Sequence, residues 1–232
     1  MIREMGALFR NRLDAGRHLA AALERTDLAD AVVVGLARGG VTVAAEVARR
    51  LSLPLDVVAV RKIGYPFQPE YAIGAVTPGA GGVYLRSDEG LGDSELRHLI
   101  EQARAKADAL DRILHESHRP LDLLGKTAVL VDDGLATGAT MMAAVRWARS
   151  QGAGRVVVAV PVGAAQSANA LRREADEVVC PYEKLLFGAV GVWYDVFTQV
   201  GNDEVVALLD ELQAPSPAPT ARGLREPTIS ER

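Results

Sequence analysis

Cysteine is nearly missing from this sequence: Cys180 stands alone in 232 residues. One thiol can close no internal disulfide and supply no cysteine metal cluster, which fits a reducing compartment. Its expected place is that of a small buried hydrophobe. Long apolar runs are also missing. The longest, Val156 to Ala165, falls far short of the roughly 20 residues that span a bilayer, and no signal-peptide apolar core follows Arg3 and Glu4. A cytoplasmic protein with no membrane partner is expected. Positive charge is not in excess either: 26 Lys and Arg against 30 Asp and Glu leave a net charge of −4. A chain whose main partner is nucleic acid carries a basic footprint, and this one has none. What is present is 49% hydrophobic and 24% charged residues, enough for one sizeable core rather than a disordered chain.

The apolar residues fall into a rhythm. Leu8, Leu13, Leu19, Ala20 and Leu23 have helical spacing, predicting an N-terminal helix or helix pair. Short β-branched runs followed by Gly-rich turns and helical patterns then predict βα units around a mostly parallel, buried sheet. The expected strands are 31–35, 57–61, 127–131, 156–160 and 177–179. Residues 72–76 and 83–85, separated by Pro78, Gly79, Gly81 and Gly82, read as a hairpin. Asp93 opens a long helix with Leu96, Leu99, Ile100, Ala103, Ala107, Leu110, Ile113 and Leu114 on its apolar face. The four histidines show no metal-ligand pattern and are expected at the surface. An aromatic and Gly-rich segment, about 180–200, reads as a small hood, and Asn202 caps a closing helix. One α/β domain over 1–213 is therefore expected, with an aperiodic, Pro-rich tail over 214–232.

The segment Ala128 to Thr140, AVLVDDGLATGAT, carries the most chemistry. An apolar strand ends in Asp132 and Asp133, and the loop Gly134, Leu135, Ala136, Thr137, Gly138 leads into a helix through Ala139 and Thr140. At the carboxyl edge of a parallel sheet, a helix N-terminus offers unpaired N–H groups to a phosphate. Two carboxylates beside it would repel that phosphate unless they faced vicinal ribose hydroxyls or hydrated Mg²⁺. The spacing describes a ribose 5-phosphate holder. The GxxxxGK[ST] loop of nucleoside triphosphatases is absent.

This segment resembles the phosphoribosyl pyrophosphate (PRPP) signature of type I phosphoribosyltransferases, a resemblance extending over about residues 9–212. It implies the Rossmann-like α/β fold of that family, with a hairpin or flexible loop and a C-terminal hood. It implies the 5-phosphate on residues 134–140, Mg²⁺ carried by PRPP and held by Asp132 and Asp133, and a homodimer. Ala37, Arg38, Gly39 and Gly40, within GLARGG, resemble the pyrophosphate loop, where a cis peptide would fall between Ala37 and Arg38. Arg61 and Lys62 would end the second strand on the same edge and neutralise the departing pyrophosphate. Pro66, Gln68, Pro69 and Glu70 fall where relatives carry a closing loop.

The resemblance implies transfer of ribose 5-phosphate from PRPP to a nitrogenous base, with Asp132, Asp133, Arg61 and Lys62 as the catalytic set. It places the acceptor under the hood, with Phe187, Val192, Trp193 and Tyr194 as candidates to contact it. Ala136 stands where 6-oxopurine-specific relatives carry an aspartate, so the expected acceptor is a purine or related base, the run resembling adenine or xanthine transferases more than a hypoxanthine-guanine enzyme. The alternative is a protein that senses PRPP or a nucleotide without turnover.

Overall fold

A computed structural model describes residues 6–65, 68–86 and 90–213, without side-chain placements for 68–71. In chain order the elements are α1 (Arg12–Leu23), β1 (Ala31–Ala37), α2 (Gly39–Leu51), β2 (Leu55–Ala59), β3 (Arg61–Tyr65), β4 (Gln68–Val76), β5 (Val83–Leu85) and α3 (Asp93–Leu114). There follow β6 (Thr127–Val131), α4 (Ala139–Ser150), β7 (Arg155–Ala159), β8 (Val162–Ala164), α5 (Ala165–Leu171), β9 (Glu177–Val179), β10 (Tyr182–Lys184) and α6 (Asn202–Gln213). The Pro-rich tail and Pro66 lie outside the described residues. No described helix is long and apolar enough to cross a membrane.

Five strands form one parallel sheet in the order β2–β1–β6–β7–β9. Both of its faces are buried, so its strands are continuous apolar runs whose alternate residues enter different cores. Along β1, Ala31 and Val33 pack toward α1, α2 and α6, while Val32, Val34 and Leu36 pack toward α4 and α5. Pairing of Ala37 with Ala59 and of Gly35 with Val131 brings three strand ends to one edge. Loops leaving that edge form a common rim.

The second strand differs from expectation. It ends at Ala59, and Arg61 opens β3 in a separate antiparallel sheet, β3–β4–β5. β2 is the edge of the parallel sheet, and its neighbour β1 stops pairing at Ala59, so backbone beyond it must find partners elsewhere. β4 supplies them. Ile63, Ile73 and Val76 of this small sheet pack on Ala103 of α3. The apolar face of α3 is thus shared between the small sheet and the main core, and Ile113, expected on that face, is 47% exposed.

The histidines correct a second expectation. His115 is half-buried just after α3, held between the carboxylates of Asp56 (3.1 Å) and Asp111 (3.5 Å). The hood segment does not stand apart. Phe187, Trp193 and Tyr194 form a third core with Phe9 and Val162, and Phe9 N–H donates to the Trp193 carbonyl. Cys180 is partly buried, and burial pushes its thiol pKa up to about 12.

Candidate active site

A cavity of about 470 Å³ opens on the rim where β1, β2 and β6 end. Its walls come from five places: Arg12 of α1, Leu36 to Gly39 at the end of β1, Val60 and Arg61 after β2, Asp132, Asp133 and Thr140 around β6, and Phe197 to Val200 before α6. Parts of the two resemblances therefore line one pocket, Asp132, Asp133 and Thr140 from the first and Ala37 to Gly39 from the second, while residues 134–139 and Gly40 are not in its lining. The peptide between Ala37 and Arg38 is cis, where the resemblance put it.

The phosphate side is built from the start of α4. Gly138 lies at φ +80°, a left-handed turn that glycine adopts without strain, and the first intrahelical bond runs from Met142 N–H to the Gly138 carbonyl. The amides of Ala139, Thr140 and Met141 precede that bond and have no acceptor within the helix. The upstream loop is rigidly held: Leu135 N–H donates to Val162 O (3.0 Å), Ala164 N–H to Leu135 O (2.7 Å), and Ser167 Oγ to Ala136 O (2.5 Å). A preformed row of donors with the positive end of a helix behind it suits a dianion.

Cations sit across the cavity. The side chains of Arg38 and Arg61 contact neutral groups, Asn202 Oδ1 at 3.5 Å and the Val60 carbonyl at 3.1 Å. Burial, and then the neighbouring charge of Arg38, hold the Arg61 pKa below its ordinary value. Two guanidinium groups brought together with no carboxylate among the described residues repel each other in the free protein and are relieved by an anion. Lys62 follows the alternation of a strand and turns the other way. It lines a neighbouring cavity with Tyr65 and Lys106, so the expected pairing of Arg61 and Lys62 in one grip is not what the fold brings together. The charge of Lys62 still reaches Asp132.

The acids stand where the β6 apolar run stops. Asp132 Oδ1 accepts the Asp133 N–H at 2.9 Å, and Asp133 Oδ2 accepts Arg12 Nε at 2.7 Å. Burial, and then the charge of Asp133, raise the Asp132 pKa well above the usual carboxylate range. Burial also raises that of Asp133, against the pull of Arg12. Gly39 and Gly40 explain themselves here: a Cβ at position 39 would collide with Asp133 Oδ2, and one at position 40 would lie 2.6 Å from the Val131 carbonyl. The turn after β1 must pass against the acids, and only glycine lets it.

The hood aromatics fall elsewhere. Phe187, Trp193 and Tyr194 are buried at 7%, 2% and 5% exposure, and none lines the cavity. Trp193 Nε1 donates to the Phe187 carbonyl, and the Tyr194 hydroxyl donates to the Asp133 carbonyl at 2.5 Å. These rings support the motif loop from behind, while Val192 is exposed away from the pocket. The pocket wall on that side is Phe197 to Val200. Arg12 and this wall are the site residues that sequence reasoning missed. Position 12 is 121 residues from Asp133, and its only local mark is Asn11, whose side chain caps α1 by accepting the Asp14 N–H.

The model of the phosphoribosyl transferase domain matches residues 5–191. A Mycobacterium tuberculosis protein provisionally named a phosphoribosyl transferase, found in two strains, is 47% identical over 208 residues, 88% of this chain. This chain spans only 46% of that protein's length. The crystal structure of TT1426 from Thermus thermophilus is similar over 88% of this chain and 98% of its own, with 41% identity and a TM-score of 0.75.

Proposed function

The chain belongs to the phosphoribosyl transferase domain family, and from that premise we propose that it transfers ribose 5-phosphate from PRPP to a ring nitrogen of a base, releasing pyrophosphate. One observation carries the reading: Thr140 at the start of α4, the acids Asp132 and Asp133, and Arg38 and Arg61, which meet no carboxylate among the described residues, line a single cavity. Each matches one part of PRPP. The 5-phosphate sits on Gly134, Thr137 to Thr140 and the α4 amides, the ribose hydroxyls donate to Asp132 and Asp133, and the pyrophosphate lies against Arg38 and Arg61. Lys62 adds a longer-range charge.

In the reaction the C1–O bond to pyrophosphate breaks as the base nitrogen forms the new C1–N bond. Positive charge grows on the ribose ring beside the acids, and negative charge grows on the leaving group beside the arginines. Positioning and charge stabilisation therefore supply the acceleration, with no covalent intermediate on the protein. The described residues offer no group of three or more His, Cys, Asp or Glu that could hold a metal. Two adjacent carboxylates do fit an Mg²⁺ ligated mainly by diphosphate and water. Bound that way, Mg²⁺ would further neutralise the leaving group.

A purine or related base is the proposed acceptor, with Phe197 to Val200 in place of the buried hood aromatics as its nearest wall. A cytoplasmic homodimer belongs to the same proposal, and light scattering would read its mass. Isothermal titration with PRPP and Mg²⁺, followed by a pyrophosphate-release assay across adenine, xanthine, hypoxanthine, guanine, uracil and orotate, tests the function. Release with one purine is expected. Binding without release for any base would leave a sensor of PRPP, and no binding would remove the proposal.

A further inference from the structure

Arg12 comes from the first turn of α1, far in sequence from every other group in the cavity. Its side chain is 11% exposed and touches three things at once. Nε donates to Asp133 Oδ2 at 2.7 Å, Nη1 donates to the Thr198 carbonyl at 2.7 Å, and the guanidinium lies 3.8 Å from the centre of the Phe197 ring. A surface ion pair between long side chains is a loose contact. This one is largely shielded on both sides, Asp133 being 13% exposed. The planar fork fixes direction as well as charge.

The consequences are geometric. Held through Oδ2, the Asp133 carboxylate cannot rotate freely, and the acid lines the cavity in which a ligand would sit. The missing side chain at Gly39 leaves room for this pair, since a Cβ there would also lie 3.1 Å from Arg12 Nε. On its other edge Arg12 anchors Thr198 and Phe197, which form the opposite wall of the same cavity.

Resting on the phosphoribosyl transfer reading, we propose that Arg12 is a positioning residue that aims Asp133 at the ribose hydroxyls and ties the 197–198 wall to that carboxylate. It touches neither the breaking nor the forming bond. Its effect is to make the sugar site selective for a ribose bearing both hydroxyls.

The test uses titration calorimetry of the full chain with ribose 5-phosphate, 2-deoxyribose 5-phosphate and inorganic phosphate, without Mg²⁺. The parent is expected to prefer ribose 5-phosphate to the deoxy sugar by about tenfold, the worth of one hydrogen bond to a charged acceptor. R12M should bring that ratio to about one while leaving the affinity for inorganic phosphate within about twofold. A merely structural role would lower all three affinities together and keep the ratio.

R12M leaves a buried carboxylate unpaired, so D133N and R12M/D133N are measured beside it. With the charge removed both should fold, and both should show the same collapsed ratio, because contacts acting through one group are not additive. An unchanged ratio in R12M, or a further loss in the double variant relative to D133N, overturns the role of Arg12 and leaves the transferase reading standing. If the parent binds neither PRPP nor ribose 5-phosphate, the transferase reading fails first and this inference with it.

Discussion

Two partly buried clusters of acid and base sit at opposite ends of the parallel sheet. At its amino edge, Asp56 of β2 accepts the Val57 and Leu121 N–H groups, both at 2.8 Å, and meets His115, whose other ring nitrogen faces the Asp111 carbonyl at 3.1 Å. A cavity of about 240 Å³ adjoins it, but the Asp56 oxygens and the His115 nitrogens have partners. At its carboxyl edge the same kinds of group are left incomplete. Among the described residues Arg38 and Arg61 meet no carboxylate, Asp132 has one backbone donor, and the N-terminus of α4 has no side-chain cap. Burial alone does not mark a site; burial with unanswered charge does.

The sharpest way to break the contrast is to alter both ends and compare what is lost. Replacing Asp132 and Asp133 by Asn should cost on the order of 100-fold or more in turnover, since charge developing on the ribose would lose its stabilisation. The melting temperature should hold or rise, because two buried carboxylates whose pKa values burial has raised are removed. Initial rates of pyrophosphate release and a thermal melt read the two quantities. Unchanged turnover would move the ribose away from these acids.

His115→Ala should do the reverse. Loss of the buried pair leaves Asp56 with two amide donors and should cost roughly 3 kcal/mol of stability by urea titration, with turnover per folded molecule kept. The dependence on pH has a definite sign. The His115 pKa is raised from 6.5 to about 10, burial opposing and hydrogen bonds to Asp111 and Asp56 outweighing it. A raised cationic group stabilises fully below its unfolded value and loses that contribution as pH rises through the folded one. The gap between parent and variant should therefore be widest below pH 6.5 and close as pH passes about 10. A gap that widens with pH would refute the ion pair.

How much of this was legible in the sequence follows from how local each signal is. The β6 strand, the acidic pair and the Gly/Thr loop are contiguous, and chain periodicity located them without help. The departure at Ala59 was hidden because 57–61 is continuous in pattern, and only the limit of pairing with β1 ends it. His115 looked solvated on a helix end because Asp56 is 59 residues away. Arg12 was invisible for the same reason. Aromatics in the hood promised a base platform by composition, but Phe187, Trp193 and Tyr194 gain more by filling the space against Phe9 than they would beside water.

A smaller change tests the open end by itself. Thr140→Val removes one hydroxyl beside the α4 amides and should weaken PRPP binding by roughly 1–2 kcal/mol in calorimetry. The amides remain, so binding should be reduced rather than abolished. An unaltered dissociation constant would mean that the phosphate lies elsewhere on the rim.

Tyr194→Phe carries the least expected energy and separates two roles for one residue. Its hydroxyl donates to the Asp133 carbonyl, and burial raises its pKa far above that of a free phenol, so it is a neutral donor at any working pH. Removing it leaves that carbonyl short of a partner, at about 1 kcal/mol of stability. Because the ring stays buried on Phe9, at 5.4 Å between centroids, the KM for the acceptor should not change. If instead the acceptor KM rises severalfold while stability is kept, Tyr194 reaches the base. The hood would then have to open during turnover to expose a ring that is 5% accessible in the free protein.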